Sequence, residues 1–266
     1  MALVRAGEVE LDCERSGSGP PLLLIMGMSG TALHWGEPFL ELLRRDFDVI
    51  AYDHRGVGAS SRLEGQVTIA QLAGDASALL TALELESAHV LGISMGGMIA
   101  QELALAHPEQ VRTLALGCTY CGGPGSTQAP AVLQRLGEAM MSGDRAQALR
   151  AGWEVNVSQA MAGDADAYAE FVAIAERRAV AVPVVLAQLQ ACTAHDASSR
   201  LHEIKMPTLV IHGTDDQLLP VQNGHQIAGL IPGAELEILD RTGHMFFWEH
   251  PERSAELLRR HAAVPA

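Results

Sequence analysis

"HVLGISMGGMIAQELA", residues 89–104, is the stretch on which the reading of the fold turns. An apolar run stops at Ser94, Gly92 and Gly96 flank it two positions away on either side, and a helix-like apolar pattern begins at once with Met95. Gly92-Ile93-Ser94-Met95-Gly96 fits G-x-S-x-G. At a strand-to-helix junction this pattern has a mechanical meaning. The serine occupies a tight, strained turn, and only small residues fit beside it because strand and helix backbones come close together. The hydroxyl then stands above the sheet, over a helix N-terminus whose free N–H groups and positive dipole end favour an oxyanion.

The chain on both sides repeats the alternation. "PPLLLIMG", "FDVIAYD", "VRTLALGCT", "PTLVIHG" from Pro207 and "AELEILD" from Ala234 are short apolar runs. Runs apolar on both faces suit central strands of a parallel sheet covered by helices. "EVELDCERSG" alternates with period two and predicts an edge hairpin strand. Helices are predicted over Glu37–Arg45, Thr68–Leu83, Met95–His107 (ended by Pro108) and Pro251–His261. After Cys121 the texture changes. "GGPGSTQAP" reads as a linker, and the chain to about Ser199 is rich in Ala, Gln and Glu, with no strand-like run before "VPVVL". About four helices are expected there. The prediction is an α/β fold: a mostly parallel central sheet flanked by helices, with an inserted helical cap. Residues 1–121 and 200–266 form the core and residues 122–199 the cap.

Composition bounds the function. A chain of 266 residues, 48% hydrophobic, can bury one sizeable core and a small lid. The net charge of -14 repels phosphate backbones, so no nucleic-acid partner is expected. Basic residues are scattered, and the apolar runs fall far short of the roughly 20 residues that span a bilayer, so no membrane partner is expected either. The first residues lack the pattern of a signal peptide, which points to a soluble cytoplasmic protein. Cys118 and Cys121 form a lone C-x-x-C, read as small apolar residues at a strand end. "HGTDD" is too local to supply a preorganised site, so neither metal nor cofactor is expected.

A serine hydroxyl is a weak nucleophile; it needs a base, and the base needs an orienting acid. "LVIHGTDDQLLP" puts Asp215 and Asp216 directly after an apolar strand, and Asp240 ends the next one. "LEILDRTGHMFFWEHPE" puts His244 in a loop before the last helix. The order Ser, Asp, His is the one expected for this architecture. Of the eleven histidines only His244 has both the loop context and the chain order. His212 lies at a strand end, His54 follows Asp53, and His34, His89, His107 and His250 read as surface or packing residues.

"DHRGVGAS" (residues 53–60), "GISMGG", "GTDDQLLP" and "GHMFFWEHPE" together make the chain resemble the α/β-hydrolase fold superfamily over essentially its full length. It is most similar to the small bacterial esterases, enol-lactonases and non-heme haloperoxidases of that group. The resemblance implies an acid spaced as G-x-x-D-x-x-x-P, which selects Asp216 and leaves Asp215 as a turn residue. It implies that the backbone N–H of Met28, after Gly27, completes an oxyanion hole with that of Met95. The common family pattern has His-Gly where this chain has Met26-Gly27; a backbone donor does not depend on that side chain. Met26, Met28, Met95 and Met98 either line an adaptable apolar pocket or fill the core. "DHRGVGAS" reads as a structural loop tied down by Arg55, and Trp35 as an anchor of the first helix. Trp153 and Tyr168, in the cap, are candidates for the substrate pocket, packing between cap helices being the other reading.

The expected activity is that of a cofactor-free serine hydrolase cleaving small carboxylic esters or lactones through an acyl-enzyme. Perhydrolysis of the haloperoxidase type, C–C bond hydrolysis and cyanohydrin lysis are alternatives on the same triad. A non-catalytic binding protein of the same fold is a rival of another class. Epoxide hydrolases and haloalkane dehalogenases use an aspartate nucleophile, and Ser94 stands against them. The natural substrate and the oligomeric state stay open.

Overall fold

A computed structural model describes residues 2–264. The chain opens with strands β1 (Ala2–Ala6), β2 (Val9–Gly17) and β3 (Pro21–Ile25), then helix α1 (Glu37–Leu43) and β4 (Asp48–Tyr52). Helix α2 (Ile69–Ala82), β5 (Ala88–Ile93), α3 (Met95–Ala106) and β6 (Val111–Gly117) follow. Five consecutive helices come next: α4 (Pro130–Met141), α5 (Arg145–Asn156), α6 (Gln159–Ala162), α7 (Ala165–Arg177) and α8 (Val182–Ala194). The chain then returns to the sheet with β7 (Thr208–Gly213), α9 (Gln222–Leu230), β8 (Glu235–Leu239), α10 (Phe246–Glu249) and α11 (Pro251–Ala262).

All strands join one sheet in the order β1-β2-β4-β3-β5-β6-β7-β8. The pairs β1–β2 and β2–β4 are antiparallel and the other neighbours are parallel. The strand expected at the edge is second from it. The edge is β1, a short strand whose first four residues are not buried, so it carries no apolar signal.

The unbroken apolar runs have a direct explanation. Along β3, Leu22 and Leu24 join the apolar cluster that holds Phe39, Leu43 and Leu258, while Leu23 and Ile25 join the cluster that holds Leu72, Ile99 and Leu103. Successive side chains alternate between faces, and helices cover both, so every position is apolar. Helix α2 is capped by Thr68, whose hydroxyl accepts the Gln71 N–H at 3.1 Å.

The insert between β6 and β7 is helical, as its composition implies. "VPVVL" forms the first turn of α8 because Pro183 stands at the helix start, where its missing N–H costs nothing. Among the described residues no helix is long and apolar enough to cross a membrane.

The register collects one end of the sheet. Ile93 pairs with Gly117, Gly117 with Ile211, and Gly213 with Leu239. The segments leaving β5, β6, β7 and β8 therefore emerge side by side, at the carboxyl edge where ligands of parallel sheets bind.

Candidate active site

Ser94 joins β5 to α3 with φ 55° and ψ -123°, a left-handed φ that a non-glycine residue rarely adopts. The flanking glycines are steric necessities. A Cβ at Gly92 would collide with the carbonyl of Gly96, and one at Gly96 with the carbonyl of Ile25. The elbow is pinned from β6: the Ser94 N–H donates to Gly117 O at 3.0 Å, and Thr119 Oγ1 donates to Ser94 O at 2.7 Å.

The turn after β3 runs directly beside the elbow; a Cβ on Gly27 would stand 3.0 Å from Ser94 Cβ. Among the described residues neither the N–H of Met28 nor that of Met95 has a hydrogen-bond acceptor. The turn itself is densely tied. His54 Nε2 donates to Met26 O at 2.9 Å, Ser29 N–H to Gln188 Oε1 at 2.9 Å, and Ala32 N–H to Asp53 Oδ1 at 2.7 Å. His54 thus anchors the turn at Met26-Gly27, where the common family pattern has His-Gly. Its role, and that of Asp53, was not visible in "DHRGVGAS". Arg55 does tie that loop down, by two hydrogen bonds to Asp75 on α2.

In the segments that follow β7 and β8, His244 Nδ1 lies 2.7 Å from Asp216 Oδ2, with both side chains buried. A carboxylate only accepts, so Nδ1 carries a proton, and in the neutral ring this leaves the lone pair on Nε2. Asp216 Oδ1 accepts the N–H groups of Leu218 and Leu219, each at 2.9 Å. His212 adds a second imidazole: Nε2 is 2.7 Å from Leu219 O and 3.3 Å from Asp216 Oδ2. Burial alone would push the Asp216 carboxyl up. The facing His244, together with the hydrogen bonds from His212 and His244, outweighs it and holds the group below the usual carboxylate range. The neighbours differ. Asp215 is exposed and only accepts from the Thr214 hydroxyl, and Asp240 is exposed beside Arg241.

The His244 loop is clamped to the cap. Glu249 Oε1 accepts the N–H of Gly243 at 2.8 Å and that of Ser158 at 2.9 Å, and Met245 N–H donates to Asn156 O at 2.7 Å. The cap thus touches the site twice, through Asn156–Ser158 on the histidine loop and through Gln188 on the turn after β3. Trp153 is fully buried against Phe171 and Trp248, with centroids 5.4 and 5.8 Å away, and its Nε1 donates to Ala162 O. Tyr168 lies under the Arg150 guanidinium, 4.7 Å from its ring centroid. Both residues sit in the packing of α5, α6 and α7.

Cys118, His212 and Asp216 each bring one possible metal-ligand atom within 4.8 Å of the others. Asp216 is already engaged on both oxygens. Burial, and then the Asp216 charge, push the Cys118 thiol well above its ordinary value, so it stays protonated. All four cysteines are free.

Comparison with known proteins extends this picture. Residues 22–257 match the "Alpha/beta hydrolase family". A protein of Azorhizobium caulinodans named "Putative carbamate hydrolase RutD" is 33% identical, with 97% of each chain covered. The "Poly(3-hydroxyalkanoate) depolymerase" of Ectopseudomonas oleovorans is 31% identical over 90% of this chain and 83% of its own. The crystal structure of a hydrolase from Pseudomonas aeruginosa superposes with a TM-score of 0.86 at 29% identity, covering 98% of both chains. With the sheet order, the strained serine elbow and this match in hand, the chain belongs to the alpha/beta hydrolase family.

Proposed function

We propose that the protein is a cofactor-free serine hydrolase acting on small carboxylic esters or lactones. The observation that carries this reading is the buried Asp216–His244 pair, 2.7 Å apart, on the same sheet edge as the strained Ser94 elbow. Ser94 Oγ attacks the acyl carbon while His244 Nε2 takes its proton. Asp216 holds the ring in the required tautomer and stabilises the imidazolium. The N–H groups of Met28 and Met95 receive the oxyanion. His244 returns the proton to the leaving oxygen, and water, activated by the same ring, then releases the acid from Ser94.

The cap bounds the substrate. Its contacts at Ser158 with the histidine loop and at Gln188 with the turn after β3 support a lid that favours short acyl groups over long lipid-like ones. Labelling with a fluorophosphonate probe tests the mechanism: wild type should gain one covalent adduct on Ser94. A screen of p-nitrophenyl esters, simple lactones, carbamates and peroxide-dependent bromination then tests the substrate class. Absence of both labelling and ester or lactone turnover would overturn the proposal.

A further inference from the structure

Gln188 lies on the core-facing side of α8 with Val185, Ala191 and Cys192, and is 1% exposed. Its Oε1 accepts the Ser29 N–H at 2.9 Å. A backbone amide can only donate, so this contact decides which end of the carboxamide is oxygen. The amino group Nε2 therefore points away from Ser29. It is buried and has no hydrogen-bond partner among the described residues. Leaving a buried donor unpaired is costly, and each native instance asks for a reason.

Its neighbourhood supplies one. Ser29 directly follows Met28, and it is held at φ 59°, in the left-handed region. One turn further along α8, Ala191 and Cys192 share an apolar cluster with Met95 and Met98 at the start of α3. The carboxamide thus joins the cap to the residue that directly follows Met28 in the turn after β3. The Met28 N–H, a candidate oxyanion donor, is one peptide unit and one hydrogen bond from Gln188.

We infer that Gln188 is a substrate-binding residue: Nε2 donates to a second oxygen on the acyl chain, selecting esters of hydroxy or keto acids over esters of unsubstituted acids. This rests on the serine-hydrolase reading above. Polar sites of this kind discriminate because an analogue lacking the oxygen leaves the buried donor unpaired. Oε1 meanwhile links α8 to the turn that carries Met28, so the donor is in place only with the cap seated.

The test compares kcat/KM for p-nitrophenyl butyrate and the two enantiomers of p-nitrophenyl 3-hydroxybutyrate in wild type, Gln188→Met and Gln188→Glu. Methionine keeps length and packing without either hydrogen bond. Glutamate keeps an acceptor for Ser29 and loses the donor. Wild type should prefer one hydroxy enantiomer by about tenfold, and both variants should lose that preference while Ser94 still reacts with a fluorophosphonate. A purely structural glutamine predicts otherwise: glutamate would keep the wild-type ratio, and methionine would slow all three esters alike. That result, or a wild type indifferent to the hydroxyl, overturns the inference. If Gln188→Met fails to fold by its thermal melt, Gln188→Glu decides. If wild type neither labels nor cleaves any of the esters, the hydrolase reading itself fails and this inference falls with it.

Discussion

Arg178 places Nη1 2.6 Å from Asp53 Oδ2, and the other oxygen of Asp53 accepts the N–H of Ala32 at 2.7 Å. The same nitrogen lies 2.6 Å from Asp12 Oδ2. A cation at the end of a cap helix is thus bridged, through one buried carboxylate, to the turn that carries Met28. Burial pushes the Asp53 carboxyl up, and the Ala32 N–H and Arg178 offset this only in part.

Arg178→Met should therefore leave two buried carboxylates face to face. Breaking such a pair costs about 3 kcal/mol, a fall in melting temperature of roughly 6–12 °C. Adding Asp12→Asn should restore part of the loss by removing one of two like charges. A melting temperature within about 2 °C of wild type for the single variant would show that the bridge contributes nothing.

Ser94→Ala should lower esterase kcat by roughly 10³-fold or more while the protein stays folded. Removing the hydroxyl deletes the nucleophile, yet alanine must still occupy φ 55°, so no stabilisation is expected. Activity retained within about tenfold would place the nucleophile elsewhere.

The adjacent acids should separate cleanly. Asp216→Asn loses the charge that stabilises the His244 imidazolium and favours the wrong tautomer, so kcat should fall by about 10³- to 10⁴-fold. Asp215→Asn touches an exposed group bonded only by Thr214 and should change kcat less than about threefold. Steady-state kinetics of the two variants checks the ranking; the reverse order would mean that His244 relies on another acid.

Acid should weaken the fold in a defined window. His34 is pushed down to about 4 by burial, and His89 to about 4 by burial and the nearby Arg112. The unfolded chain binds these protons near pH 6.5. Between those values the unfolded state holds more protons, so stability is fully present above pH 6.5 and is lost as pH falls toward 4. Asp216, held below its ordinary value, extends the loss to lower pH. Thermal midpoints measured from pH 7.5 to 4 should fall steadily; a constant midpoint would contradict the lowered values of both histidines.

The parts of the site legible in the sequence are those set by local geometry. Gly92 and Gly96 are required by contacts within one strand-turn-helix unit, so "GISMG" announces itself. Asp216 and His244 follow their strands at short range. The supports were hidden because their meaning depends on partners far along the chain. Arg178 meets Asp53 across 125 residues and Gln188 meets Ser29 across 159. Nothing in an Ala- and Gln-rich helix marks one glutamine as buried and half paired. Trp153 was marked by its type alone, and only the packing of Phe171 and Trp248 around it shows what its ring touches. Strand β1 escaped notice because an exposed five-residue edge has no apolar period to detect.

The side-by-side emergence of β5, β6, β7 and β8 also has a consequence in time. Met28 and Ser94 lie in the first half of the chain, whereas Asp216 and His244 follow the last two strands. On the proposed mechanism, a chain still being synthesised would hold an elbow with no base to activate it, and would stay inert until the segment after β8 had joined the site. On refolding, recovery of turnover should therefore trail recovery of helical signal, making catalysis itself the clock for completion of the sheet.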